Sequence, residues 1–312
     1  MAPAPAVSVS PLHFQRITID DLPAINRIVQ MSQSMTCDYT VGGIFMWIDY
    51  FRYRFCIYRD TLFISGVEEN HLDNIAFSCP IGKLPLPEAI ELLKDYCAQH
   101  NMPLQFSAIP ADKLICFTTI NPEADVEELT DWSDYVYEIE SFATLSGKKM
   151  AKKRNHVNKF FDTYPDAVLE PLGKDDVQQF VRAMHRWENI ETTDDLSQTK
   201  AEESREVIDV LENLDRYNFD GAVLRLSPGG EIAGFTLAEI INDTAFIHIE
   251  KMNHGINGSG ETLAHLFAAK LKEKYPDVRY SNREEDCGDE GLRRAKESWH
   301  PAMLLKKYNV TL

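Results

Sequence analysis

The order of elements in residues 220–310 limits the fold of this chain more than any other feature. "DGAVLRL" (Asp220 to Leu226) and "EIAGFTLAEI" (Glu231 to Ile240) are apolar, β-favouring runs, and the "SPGG" between them supplies turn geometry, so a hairpin is predicted. "AFIHIEKM" (Ala245 to Met252) is the next strand. Alternation puts Phe246, His248, Glu250 and Met252 on one face and Ala245, Ile247, Ile249 and Lys251 on the other. A glycine-rich turn in "NHGINGSGETLAHLFAAKLKEKYPD" then enters a helix whose Leu263, Leu266, Phe267 and Leu271 recur at helical spacing. "VRYSN" (Val278 to Asn282) is a further strand, parallel to the previous one if the crossover has the usual hand. A charged loop, a short helix and "AMLLKKYNV" close the series.

This order places two candidate subsites. Glycines before a helix let main-chain N–H groups face a common hollow, and the helix adds its positive end, so the turn is suited to phosphate oxygens. Lys251, Asn253, Gly255, Asn257, Gly258, Ser259 and Gly260 are the donor-binding residues on this reading. A plain flexible connection is the alternative. Polar residues just past the carboxyl end of a parallel strand lie where open sheets take ligands. Asn282, Arg283, Glu284, Glu285 and Asp286 occupy that place, with Arg293 and Lys296 on the helix beyond.

Composition narrows the partners. The 312 residues are 44% hydrophobic, enough for two domains with cores of their own. The formal charge of −17 opposes broad adhesion to nucleic acid or anionic lipid, so any polyanion must meet a local basic patch. The six cysteines are scattered, with no C-x-x-C pair and no histidine at ligand spacing, which predicts reduced thiols and no metal site. Residues 1–12 are small and proline-rich and read as a disordered tail, not an export signal. No run reaches the roughly 18 apolar residues of a membrane span, so a cytoplasmic protein without an integral membrane segment is expected.

The front half repeats the order coarsely. "FQRITIDDLPAINRIVQ" gives a strand and a helix with Pro23 in its first turn. "FRYRFCIYRDTLFISGV" is a hairpin around "RD", "NIAFSCPIG" a strand, "PLPEAIELLKDYCAQHN" a helix and "PLQFSAIP" a strand. Its aromatic residues Phe45, Trp47, Tyr50, Phe51, Tyr53 and Phe55 read as core and interface. The boundaries expected are 13–140 for an N-terminal domain and 141–312 for a C-terminal one carrying the active site. Early in the second half, "SGKKMAKKRNHVNKFF" concentrates Lys148, Lys149, Lys152, Lys153, Arg154, His156 and Lys159 on one helix. That segment is either a solvated face or a local anion site, with Lys149, Lys153 and Arg154 as its donor contacts.

The segments "YVYEIESFATLSGKKMAKKRNHVNKFF", "HIEKMN" and "YSNREEDCGDEGLRRAKESWHPAMLLKKY" resemble the signature blocks of the family defined by the C-terminal domain of phosphatidylglycerol lysyltransferases, in its short bacterial members. The resemblance implies an α+β fold of mixed sheets with helices on both faces, built as tandem GNAT-like acyltransferase domains. It also implies transfer of an aminoacyl group from aminoacyl-tRNA to a lipid hydroxyl, as in the membrane-anchored relatives. This chain lacks their multi-span domain, so the acceptor stays open between a lipid head and a small molecule. The acyl-CoA loop of the wider GNAT superfamily reads Gln/Arg-x-x-Gly-x-Gly/Ala. Here Gly255 fills the first position, which leaves coenzyme A or acyl-CoA a weaker donor than usual.

Acyl transfer needs a base, an oxyanion donor and alignment of the reactants. Glu250 is the base expected from position, His248 its neighbour on the same face, and Tyr308 on the final strand a group that can protonate a leaving oxygen. Glu284, Glu285 or Asp286 can pair with the α-amino group of an aminoacyl donor, and Arg283, Arg293 and Lys296 can meet phosphate. Two further readings stay open: a small-molecule N-acetyltransferase using acetyl-CoA, and a GNAT-like protein that binds a ligand without turnover.

Overall fold

The computed structural model describes residues 10–68, 71–188 and 197–312. The expected tail lies mostly outside the described residues, but Ser10 and Leu12 are buried, so packing starts before residue 13. The strands in chain order are β1 (Gln15–Arg16), β2 (Arg54–Tyr58), β3 (Thr61–Glu68), β4 (His71–Phe77), β5 (Ile81–Gly82), β6 (Gln105–Pro110) and β7 (Asp125–Glu128). They continue with β8 (Asp134–Glu138), β9 (Val168–Pro171), β10 (Asp220–Arg225), β11 (Ile232–Ile241), β12 (Thr244–Met252), β13 (Tyr280–Asn282), β14 (Met303–Leu305) and β15 (Lys307–Thr311). The α-helices are α1 (Leu22–Val29), α2 (Val41–Phe45), α3 (Leu86–His100), α4 (Ala111–Ile120) and α5 (Ile139–Thr144). After them come α6 (Ala151–Thr163), α7 (Val177–Glu188), α8 (Ser197–Glu212), α9 (Ser259–Lys274) and α10 (Glu290–Glu297).

These elements make two mixed sheets in two compact units. One sheet runs β1-β2-β3-β4-β6-β15-β7, with β5 beside β3, and the other runs β14-β8-β13-β12-β11-β10-β9. The first unit takes the chain up to Asp134 together with Glu285–Gly288 and Leu305–Leu312; the second takes Tyr135–Glu284 and Asp289–Leu304. The division therefore differs from contiguous halves split at 140. β8 pairs with β13 of the second sheet, and β15 lies between β6 and β7 of the first. "KKYNV" has the composition of a strand, but nothing in its own pattern says which open edge it will fill.

Local chemistry explains the turns. Arg59 and Asp60, between β2 and β3, both have left-handed backbone (φ 51° and 54°), the primed turn that matches strand twist. Asp289 caps α10 by accepting from the Leu292 amide at 2.8 Å. In the first unit Phe77, Phe106 and Phe117 pack in sequence, tilted and then edge to face, at centroid spacings of 6.3 and 4.8 Å. In the second, α9 lays Ala264, Phe267, Ala268 and Leu271 on Tyr137, Phe142, Ala222, Ala238 and Ala245, and small residues on the strands let the helix sit close.

Among the described residues, each unit contains a pair of parallel strands that soon part. In the first, β4 and β6 pair only at Phe77 with Phe106. In the second, β12 and β13 pair from Thr244–Tyr280 to Phe246–Asn282, after which β12 runs on to Met252 paired with β11 and no longer with β13. The opening made there positions the site.

The glycine turn is shaped by packing as well as by its own conformation. Gly258 sits at φ 80° as the N-cap of α9, and a Cβ there would come within 2.6 Å of the His156 carbonyl oxygen on α6. Gly258→Ala is expected to lower stability by about 1–2 kcal/mol from the left-handed backbone alone, with more from the clash. Urea denaturation checks this; an unchanged midpoint would show that α6 does not depend on that approach.

Candidate functional site

The second unit gathers its charged groups where β12 and β13 diverge. Opposite Leu237 and Ala238 the partner positions on β12 step from Ile249 to Ile247, so β12 carries a bulge at His248. The bulge interrupts the alternation expected from sequence. His248 is fully enclosed, with Nδ1 2.8 Å from Glu284 Oε1 and Nε2 3.2 Å from Glu239 Oε2. Burial on its own would lower its pKa, but the two carboxylate hydrogen bonds outweigh this and raise it to about 9. With both ring nitrogens donating, the imidazolium holds carboxylates in place and does not serve as a base.

That shift has a testable consequence. Because the folded pKa of about 9 exceeds the ordinary histidine value of 6.5, the stabilisation is complete below pH 6.5 and is lost as pH rises through 9. At about 1.4 kcal/mol per pKa unit the loss is on the order of 3 kcal/mol. Thermal melts from pH 6 to 9.5 should show the decline in the wild type, and a flatter profile in a His248→Gln variant.

Two residues further along, Glu250 Oε1 pairs with Arg283 Nη2, and the Arg283 guanidinium lies 5.0 Å from the Phe142 ring centroid. The other oxygen, Oε2, is buried and has no hydrogen-bond partner among the described residues. Glu284 has left-handed backbone (φ 58°), its amide donating to Asn282 Oδ1 at 2.7 Å while its carboxylate meets His248. A non-glycine residue held there by two neighbours is strain of the sort found at ligand sites. Lys296 Nζ donates to the Arg283 carbonyl at 2.6 Å and fixes the same turn.

Part of the glycine turn is held by its own chain. Asn253 Oδ1 accepts from the Gly255 amide at 2.9 Å, and the Asn253 carbonyl accepts from Ile256 N and Ser259 Oγ at 3.0 and 3.1 Å. In the first turn of α9, the Glu261 carboxylate lies 2.9 Å from His156 Nδ1 and 3.6 Å from Lys153 Nζ. Burial alone would raise the Glu261 pKa, but His156, Lys153 and the residue's own main chain bring it below its ordinary value. The start of α9 thus already carries a carboxylate of its own, held by His156 and Lys153. Lys153 is buried against Trp299, 4.4 Å from its ring centroid, and Arg154 donates to the Gly147 carbonyl at 2.8 Å. Lys148, Lys149, Lys152 and Lys159 remain exposed, while Arg293 and Lys251 are half-buried.

The structure therefore brings together His248, Glu250, Asn282, Arg283, Glu284 and Lys296 and adds Glu239, which sequence reasoning missed. Glu239 reads as one acid in an apolar strand, and only the register across the bulge reveals its partner. Asp286 and Tyr308 belong to the first unit, outside this group. Asp286 accepts from the Gly288 amide at 2.9 Å, and Tyr308 pairs with Ile109 and Glu128 in the first sheet.

A second charged group, also unforeseen, lies within the first unit. Lys307 is fully buried, its Nζ 2.7 Å from both Asp134 Oδ1 and Asp38 Oδ2 and in contact with Glu285 Oε1. Cys37 closes the cluster: its amide donates to Asp134 Oδ2 at 2.6 Å and its thiol to Glu285 Oε1 at 3.0 Å. Burial drives the thiol pKa well up, so the sulfur stays protonated. Cys37, Asp38, Asp134 and Glu285 form a donor set of the kind that holds a cation, and here the Lys307 ammonium lies among them.

Two mixed sheets, each with a parallel pair that soon parts, give the chain an α+β fold. The family model described as phosphatidylglycerol lysyltransferase, C-terminal, matches residues 30–311, and the chain belongs to that family. A conserved protein of unknown function from Bacteroides thetaiotaomicron superposes with a TM-score of 0.87 at 28% identity, over 96% of this chain and 99% of that one. The structure of L-PGS from Bacillus licheniformis superposes with a TM-score of 0.63 at 16% identity, over 94% and 91%, a likeness of fold. An uncharacterized protein of Mycoplasmoides gallisepticum is 26% identical over 195 residues; the match takes in 61% of this chain and 60% of that curated relative's length. No helix among the described residues is long and apolar enough to cross a membrane.

Proposed function

We propose that the chain moves an aminoacyl group from an ester donor of the aminoacyl-tRNA type to a hydroxyl or amine acceptor, a lipid head or a small molecule, with the chemistry at the β12 opening of the second unit. The observation that carries this reading is the Glu250 carboxylate, one oxygen fixed by Arg283 and the other uncommitted. That oxygen can take the acceptor proton as the acceptor attacks the ester carbonyl. The bulge at His248 leaves a residue out of the sheet ladder next to Glu250, and its main-chain group is suited to the developing oxyanion. The C–O bond to the ribose then breaks, and the proton passes to the departing hydroxyl. Glu284, held by His248 and Asn282, is placed to meet the α-ammonium of the donor.

Family membership favours this donor, and so does the state of the glycine turn. Coenzyme A would need an anion pocket at the start of α9, where Glu261 already lies against His156 and Lys153. The exposed lysines Lys148, Lys149, Lys152 and Lys159 offer a polyanion the local patch that the overall charge withholds. A tRNA donor would place the reaction in the cytoplasm.

The test follows label from bulk tRNA charged with radioactive amino acids, and in parallel from acetyl-CoA, into phosphatidylglycerol vesicles and into soluble amines. Transfer from tRNA, with no saturable heat on titrating coenzyme A, is the expected result. Transfer from acetyl-CoA alone would replace the reading with an N-acetyltransferase, and transfer from neither would point to a binding protein.

A further inference from the structure

The first unit also gathers basic residues, in a place independent of the chemistry proposed for the second. Arg16, Ile48, Asp49, Arg52, Tyr53 and Arg54 line a surface pocket of about 280 Å³. That is just short of the roughly 300 Å³ at which small-molecule sites begin. In a chain of 49 acidic and 32 basic residues, three guanidiniums meet here against one carboxylate, which leaves two positive charges in excess.

Local structure places each arginine. Arg16 on β1 and Arg54 on β2 are direct partners across the antiparallel pair, so their side chains leave the sheet on one face. Like charges so placed weaken a strand pair, and an anion between them turns the repulsion into attraction. Asp49 pairs with Arg16 Nη2 at 3.0 Å, and the Phe14 carbonyl accepts from Arg54 Nη2 at 2.9 Å. Each guanidinium has five N–H donors, so both retain others for a ligand. Arg52 has no side-chain partner among the described residues, and its backbone is left-handed (φ 54°). Its segment is nevertheless fixed, because the amides of Phe51, Arg52 and Tyr53 donate to the carbonyls of Trp47, Asp49 and Ile48 at 3.0, 3.3 and 2.8 Å. Little of the loop has to be ordered on binding.

Charge and shape select the ligand. The planar fork of a guanidinium matches phosphate oxygens two at a time. A phosphate monoester carries about −1.5 to −2 at pH 7, which balances the excess of the pocket, whereas a diester or a carboxylate brings a single charge. Ile48 and Tyr53, both half-buried, form the apolar part of the lining, so the organic part of an ester has a wall to lie on.

We propose that this pocket is a binding site for a phosphate monoester, its phosphoryl group on Arg16, Arg52 and Arg54 and its organic group against Ile48 and Tyr53. The probe is phenyl phosphate titrated into the full chain at pH 7.5 and constant ionic strength, followed by amide NMR shifts. Methyl phenyl phosphate, the diester with one charge fewer, is the control, and vesicles containing phosphatidic acid present the same head group from a membrane. Saturable shifts centred on residues 16 and 48–54, with binding of the diester weaker by about tenfold or more, are expected. Arg52→Gln should weaken binding by a similar factor without moving the melting midpoint, since the Arg52 side chain holds nothing else in place. Arg59→Gln, in the same unit but outside the pocket, should leave binding unchanged. Vesicle binding lost in Arg52→Gln would assign the phosphoryl group to a lipid, and binding of phenyl phosphate without it to a soluble ester. Equal responses to monoester and diester, or equal losses in the two arginine variants, would reduce the effect to diffuse charge and overturn the proposal. So would shifts that map elsewhere, or no saturation by either form of the monoester.

Discussion

Replacing Lys307 with methionine is expected to destabilise the first unit by about 3–5 kcal/mol, the range for breaking a buried ion group by removing one member. Methionine is similar in length and fills the space, so packing changes little. What changes is that Asp38, Asp134 and Glu285 are left around an uncharged thioether, with no cation among them. They can then keep their place only by taking up protons, so the variant should regain stability as pH falls from 7.5 to 5.5. Chemical denaturation at the two pH values measures both effects. A loss under 1 kcal/mol, or one indifferent to pH, would show that the cluster contributes little. Substituting Lys307 together with Asp38→Asn and Glu285→Gln should recover much of the loss, because the cost lies in uncompensated charge rather than in missing contacts.

That cluster also shows what the sequence could not convey. Its members stand at positions 37, 38, 134, 285 and 307, and no periodicity or spacing links them. "KKYNV" reads as a strand, but whether it pairs in the first or the second sheet depends on which edges are open after everything else has packed. Residues whose neighbours are local were legible. The hairpin at Arg59–Asp60, the strand of Glu250 and the helix after Gly258 follow from turn chemistry and repeat length. The role of His248 was not legible, since a bulge changes what alternation predicts and Glu239 faces it only through the strand register. The glycine turn before α9 is legible as a turn, and Gly258 has the left-handed backbone that glycine allows. Its tightest glycine, however, admits the His156 carbonyl, and the helix end behind it meets Glu261, neither of which a glycine count reveals.

Glu250→Gln is expected to slow group transfer by roughly 10²–10⁴-fold, the usual effect of removing a general base, while leaving the fold intact. An amide oxygen can still accept from Arg283, so the turn after β13 keeps its anchor and the melting midpoint should shift little. Glu284→Gln separates the two carboxylates by function. If Glu284 meets the donor's α-ammonium, its loss should appear mainly in KM for the charged tRNA, whereas Glu250→Gln should act mainly on kcat. His248 tightens the comparison, because its imidazolium positions Glu284 and Glu239 without touching the reacting atoms. His248→Gln should therefore mimic Glu284→Gln and not Glu250→Gln. A Glu250→Gln enzyme within threefold of wild type would remove this carboxylate from the chemistry and leave the β12 opening as a binding cleft.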